Sequence, residues 1–213
     1  MARLASRAVD ARLAVLASGS GTNLQALLDD PKVGRWIALV VSDRERALAL
    51  ERARARGVRT EFLDPALYPD RAAYGQALLV LLQREAVEYV VLAGFMRVLG
   101  PEVVRAFEGR ILNIHPSLLP AFPGRHAVPD ALAWGAKVSG VTIHLVDEQV
   151  DHGPIVIQEA VPLVEEDDEG SLHARIRAVE HRQYPRAVRM LVEGRIKMEG
   201  RRVHVLGEFE EAR

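Results

Sequence analysis

The chain has 213 residues, no cysteine, and 28 Lys+Arg against 29 Asp+Glu, a formal net charge of -1. That length can bury one sizeable core, and the charge balance removes the global field that would draw in nucleic acid or an anionic membrane. Missing thiols exclude disulfides and cysteine chemistry and point to a reducing, cytoplasmic compartment. The longest apolar runs, such as Tyr89 to Ala93, have the length of a core strand and fall far short of a bilayer span. Residues 1–10 lack the apolar stretch of a signal peptide and read as a frayed tail before a single domain over 11–213. Arginine outnumbers lysine 25 to 3, and there are only two asparagines, Asn23 and Asn113. Scarce Asn and absent Cys suit either selection for heat resistance or a GC-rich genome.

In chain order, Leu13 to Ala17 reads as a buried strand, followed by Ser18-Gly19-Ser20-Gly21-Thr22 and a helix from Asn23 to Asp29. Trp36 to Val41 is a second strand and Ala47 to Arg56 a helix closed by Gly57. Arg59 to Leu63 is a short strand and Asp70 to Arg84 an amphipathic helix. Val87 to Leu92 and Arg110 to Ile114 are further strands, separated by a short helix opened by Pro101. This alternation predicts a parallel sheet covered on both faces. Beyond His115 the prolines at 116, 120, 123 and 129 predict a stiff loop without regular structure. A helix (Asp130 to Trp134), a strand (Val141 to Val146), a turn at Asp151 to Pro154, a strand (Ile155 to Val161) and a long helix from Ser171 to about Val192 follow. The acidic run Glu165 to Glu169 reads as a solvated loop favouring that helix's N-terminus.

Three motifs carry chemistry. A strand, a Gly-rich turn and a helix start present free N–H groups to a phosphate. Gly19 and Gly21 would let the backbone approach, and Thr22 and Asn23 would add donors. No Gly-Lys-Ser/Thr follows, so this is no P-loop, and Leu24 replaces the third glycine of a dinucleotide fingerprint. Asp43 stands roughly where a ribose-binding acid would, so a dinucleotide stays open, as does a plain turn with Asn23 as the helix cap. Second, Asn113 and His115 alternate to the same side at the carboxyl end of a strand, where open α/β sheets bind ligands. An amide donor beside an imidazole suits attack of an amine on a carbonyl, Asn113 at the oxyanion and His115 at the protons; a structurally bonded histidine is the alternative. Third, Asp151 could reach across to His115, raising its pKa and orienting it, although turn chemistry alone would explain an Asp there. His115, His144 and His152 are candidates to converge on zinc, but no His-Glu-x-x-His or cysteine supports it. His173 and His181 read as solvent- or core-facing.

The ordered set Ser18-Gly-Ser-Gly-Thr-Asn-Leu-Gln25, Ala93-Gly-Phe-Met-Arg97, Asn113-Ile-His-Pro-Ser-Leu-Leu-Pro120, Gly140-Val-Thr-Ile-His144 and Asp151-His-Gly-Pro154 resembles the folate-dependent phosphoribosylglycinamide formyltransferases of purine synthesis, from about Leu13 to about Lys197. The resemblance implies a Rossmann-like, mostly parallel twisted sheet with helices on both faces and an antiparallel C-terminal addition. It also implies 10-formyltetrahydrofolate as co-substrate and no metal. It implies that Asn113, His115 and Asp151 are catalytic, that Gly21, Thr22 and Asn23 bind the acceptor's phosphate, and that Glu180 holds its glycinamide end. Met96, Arg97, Val98 and Leu99 would line the pterin pocket, with Asn113, Asp147 and Asp151 also facing the cofactor and Arg71 near its tail. Two departures stand out: Arg125 to Asp130 after the family's Gly-x-His, and His152, which could crowd the pocket or reposition Asp151. Rivals are methionyl-tRNA formyltransferase, which carries an RNA-binding domain after the last helix, formyltetrahydrofolate hydrolase, and a nucleotide module using only the glycine loop.

Overall fold

A computed structural model describes residues 11–207, and the tail expected over 1–10 lies outside them. The strands β1 (Leu13–Leu16), β2 (Ile37–Ser42), β3 (Arg59–Phe62), β4 (Tyr89–Leu92), β5 (Ile111–His115), β6 (Val138–Leu145) and β7 (Ile155–Pro162) form one sheet in the order β3-β2-β1-β4-β5-β6-β7. The first five pair in parallel, and β6 and β7 are added antiparallel. This is the mostly parallel sheet with an antiparallel addition that the resemblance implies.

Helices cover both faces because the parallel strands are apolar on both. Leu13 and Val15 pack with Leu24 and Leu27 of α1 (Thr22–Asp29), Leu50 of α3 (Leu48–Ala55) and Tyr184 and Val188 of α7 (Glu169–Val192). The alternate residues Ala14 and Leu16 face Tyr74, Leu78 and Leu82 of α4 (Arg71–Arg84) and Val103 of α5 (Pro101–Ala106). Each such leucine contributes about 1.5–3 kcal/mol on burial.

Several local readings are revised. A one-turn helix, α2 (Val33–Trp36), precedes β2. α6 (Ala127–Trp134) begins earlier than expected and takes Pro129 into its first turn, where a missing N–H costs nothing. The acidic run is partly structured: Asp168 caps α7 in a reciprocal box with Ser171, and Asp167 is held by Arg175 at 2.5 Å. A hairpin, β8 (Ile196–Glu199) with β9 (Arg202–Val205), follows α7 and had not been expected.

β1 lies between β2 and β4, so successive connections leave it in opposite directions. A crevice opens at the carboxyl ends on either side of that reversal. The loops after β1, β4 and β5 all border it.

Candidate active site

The loop after β1 is fixed to the loop after β4: Ser18 N donates to Gly94 O at 3.0 Å, and Ser18 Oγ accepts from Met96 N at 2.8 Å. Gly21 takes a left-handed φ of 69°, and a Cβ there would lie 2.7 Å from the Cα of Ala49, so glycine is required for both shape and space. It is also the N-cap of α1, which has no side-chain cap. Asn23 is therefore not the capping residue considered from sequence. Its Nδ2 reaches across to Glu180 Oε2 on α7 at 3.0 Å, and its Oδ1 is buried without a protein partner. Burial raises the Glu180 pKa, against the opposing effects of the Asn23 bond and the Arg177 charge.

Asn113 and His115, two apart on β5, do face the same way, and both line the crevice. Asp151 joins them from the turn before β7, its Oδ2 3.4 Å from His115 Nδ1 and its Oδ1 3.3 Å from Asn113 Nδ2. Gly124 N also donates to Asp151 Oδ2 at 2.8 Å. The other ring nitrogen of His115, Nε2, lies 2.8 Å from the carbonyl oxygen of Phe122. A carbonyl can only accept, so Nε2 carries the proton and Nδ1 is the nitrogen left for chemistry.

The electrostatics correct one expectation. Asp151 does raise the His115 pKa, as does the Phe122 carbonyl, but burial lowers it more, and the net direction is down. The imidazole is thus a neutral base at neutral pH rather than an imidazolium. Burial pushes Asp151 up, but the His144 ring, the Gly124 N–H and His115 together hold it below the usual carboxylate range.

His144, opposite Asn113 on β6, is a site residue that the sequence reading weighed as a metal ligand and placed in a family motif without giving it a role. Its Nδ1 lies 2.9 Å from Leu145 O and its Nε2 3.1 Å from Asn113 Nδ2. Donation to the carbonyl leaves Nε2 an acceptor, which turns the Asn113 amide nitrogen inward, toward His144 and Asp151.

The crevice encloses about 510 Å³. Gly21, Thr22, Asn23 and Glu180 line it, as do Met96, Arg97, Val98, Leu99 and Asp147 and the trio Asn113, His115 and Asp151. The Arg97 guanidinium rests 4.9 Å from the ring centroid of Tyr74. Arg71 is not among the lining residues; it stands exposed at the first turn of α4. Asp43 does not line the crevice either, and its charge bears instead on the buried Tyr74, whose pKa burial raises first. His173 does line it, contrary to its reading as a solvent or core residue, and so do Arg177, Arg44 and Arg125. His173, Arg177 and Glu180 recur at helical spacing on one face of α7, a signal that was available once Glu180 was singled out. His152 is outside the lining: its Nδ1 meets Asp147 Oδ2 at 2.7 Å, so it does not crowd the pocket. Arg125, in the unusual stretch before α6, donates to Met96 O at 2.6 Å. Among the described residues no group of three or more His, Cys, Asp or Glu is placed to hold a metal ion, and no helix is long and apolar enough to cross a membrane.

Fold and site together define an α/β protein in which a glycine loop and the Asn113–His115–Asp151 cluster share one crevice at a topological switch point. The chain belongs to the formyl transferase family, whose model matches residues 11–188. It is 46% identical over 204 residues to the phosphoribosylglycinamide formyltransferase of Mycobacterium tuberculosis H37Rv, covering 92% of this chain and 94% of that one. The crystal structure of glycinamide ribonucleotide transformylase 1 from Symbiobacterium toebii superposes with a TM-score of 0.90 at 52% identity, covering 93% of this chain and 95% of that one. Against the trifunctional purine biosynthetic protein adenosine-3 of Drosophila melanogaster identity is 45% over 188 residues, 86% of this chain, which spans only 14% of that protein's length.

Proposed function

We propose that residues 11–213 form one cytoplasmic catalytic domain that transfers the formyl group of 10-formyltetrahydrofolate to the amine of 5'-phosphoribosylglycinamide. The products are formylglycinamide ribonucleotide and tetrahydrofolate, as in de novo purine synthesis. The observation that carries this reading is the crevice itself: Asn113, His115 and Asp151 meet in one pocket that is also lined by the glycine loop, its partner Glu180 and Met96–Leu99. Relatives named for this reaction support it.

In this reading the loop N–H groups of Gly21 and Thr22, with Asn23, hold the acceptor phosphate, and Glu180 holds the glycinamide end. Met96 to Leu99 and Asp147 hold the pterin of the formyl donor, and Arg71 meets its tail beyond the crevice. Holding both substrates in one site removes the entropic cost of their encounter. The amine nitrogen attacks the formyl carbon, forming the new C–N bond as the carbonyl electrons move to oxygen. The Asn113 N–H that now spans 3.3 Å to Asp151 is the longer of its two bonds and the one the oxyanion takes over. His115 Nδ1 takes the proton from the attacking nitrogen, with Asp151 stabilising the resulting imidazolium, and returns it to the folate N10 as the C–N10 bond breaks.

The test is an acceptor panel with 10-formyltetrahydrofolate, following released tetrahydrofolate by absorbance. Turnover that requires phosphoribosylglycinamide is expected. Equal turnover with water alone would make the protein a hydrolase, and failure to bind folate would leave only a nucleotide module.

A further inference from the structure

The unexpected hairpin meets the site. Its turn residue Arg201 donates from Nη2 to the carbonyl oxygen of His152 at 2.5 Å, and its Nη1 lies 3.3 and 3.1 Å from the two nitrogens of the same ring. Since Nδ1 carries the proton it gives to Asp147 Oδ2, Nε2 is the ring's acceptor and takes the Nη1 donor at 3.1 Å. His152 in turn bonds Asp147 Oδ2 through Nδ1, while Asp147 Oδ1 accepts from Gln149 N at 3.0 Å. The segment from Asp147 to His152 is thereby closed on itself, with Arg201 holding it from outside.

The segment needs such a hold. Asp147, Glu148 and Asp151 put three carboxylates within five residues, and Asp151 has a left-handed φ of 50°, which a non-glycine residue adopts at a cost. Just beyond, Gly153 is wedged against β6, where a Cβ would lie 1.8 Å from Leu145 O. Each carboxylate has a separate partner. Glu148 takes Arg105 at 2.7 Å, Asp147 takes the His152 ring beneath Arg201, and Asp151 is left to Asn113, His115 and Gly124.

We propose that Arg201 is a positioning residue for the formyl-donor side of the crevice, ordering the Asp147–His152 loop so that Asp147 faces the donor and Asp151 faces His115. The C-terminal hairpin is then part of the donor site, although no hairpin residue lines the crevice. The donor's identity rests on the function proposed above; the loop's dependence on Arg201 does not.

The experiment compares wild type, Arg201→Ala and Arg201→Lys in the full chain. It measures the Kd of tetrahydrofolate by calorimetry, KM for 10-formyltetrahydrofolate and for phosphoribosylglycinamide, and Tm. Arg201→Ala is expected to weaken tetrahydrofolate and raise the donor KM about tenfold, as for loss of a charge-assisted bond, with the acceptor KM unchanged. Arg201→Lys keeps the charge without the planar fork and should fall between the two. Should Arg201→Ala lower Tm by undoing the hairpin, His152→Ala supplies the second arm. In its background the Arg201→Ala effect on folate affinity must shrink if the two residues act together. Unchanged folate affinity, or equal losses for donor and acceptor, overturns the proposal. Wild type that binds tetrahydrofolate but transfers nothing to phosphoribosylglycinamide removes the acceptor assignment and leaves the Arg201 comparison readable; wild type that binds no folate removes both.

Discussion

His115 Nε2 is bonded to the carbonyl oxygen of Phe122 at 2.8 Å, and this one contact decides which nitrogen works. With Nε2 committed as donor, the lone pair of Nδ1 points at Asp151, 3.4 Å away. That is a poor contact for a neutral ring and a good one as soon as a proton arrives. In the proposed reaction the pair receives a proton and loses it again.

Asp151→Asn keeps the shape and removes the charge that favours protonated His115. The pKa of His115, already lowered by burial, should fall further, because losing an opposite charge disfavours the imidazolium. An NMR titration of His115 and the acid limb of the pH–rate profile should both move toward acid, and turnover should drop by up to about 10²–10⁴. Because His152, through Asp147 and Arg201, holds the loop that aims Asp151 at His115, this shift should shrink in a His152→Gly background. An unmoved titration would reduce Asp151 to a turn residue.

Asn113→Ala removes the proposed oxyanion donor. Turnover should fall by about 10²–10³, roughly 2.7–4 kcal/mol, with little change in either KM. His144→Leu should reproduce part of that loss, since it frees the amide that His144 Nε2 now orients. Near-normal kcat in Asn113→Ala would take Asn113 out of the chemistry.

Asn23→Ala should chiefly raise KM for phosphoribosylglycinamide and leave the donor KM in place, because in the proposed function Asn23 holds only the acceptor. An acceptor lacking the phosphate should lose far less on the same substitution. Equal losses with both acceptors would leave the loop a structural turn.

Glu180→Gln tests the cost of a buried carboxylate. The folded-state pKa of Glu180 is raised, chiefly by burial, so the folded protein prefers the protonated acid. Stability from this group is complete below the ordinary glutamate range and is lost as pH rises from there through the raised value. Glutamine, which does not ionise, escapes that loss. The variant's Tm relative to wild type should therefore be higher at pH 7.5 than at pH 4, even as its KM for the acceptor rises. A difference in Tm that does not change with pH would contradict the burial argument.

Local pattern determined much of this protein. Apolar runs of strand length, each punctuated by glycine or proline, made the parallel sheet legible, because a strand buried on both faces writes itself as a continuous hydrophobic stretch. The period of two placed Asn113 and His115 on one side of β5, and the glycine spacing marked the loop at Gly19 and Gly21. The β8–β9 hairpin carried a signal too, alternating Ile196, Met198, Val203 and Val205 around Gly200, but its exposed, charged alternate positions hid it. Only the tertiary structure decided the rest. The direction of the His115 pKa is a balance between burial and neighbours from three separate elements, and no local pattern encodes burial depth. The roles of His144, Phe122 and Arg201 arise from contacts across 31, 7 and 49 positions, and in Phe122 the acting group is a main-chain carbonyl that every residue type carries. Asn23 was legible as a loop donor but not as the partner of Glu180, 157 positions away. A pairing of that length exists only once α1 and α7 are packed on the same face of the sheet.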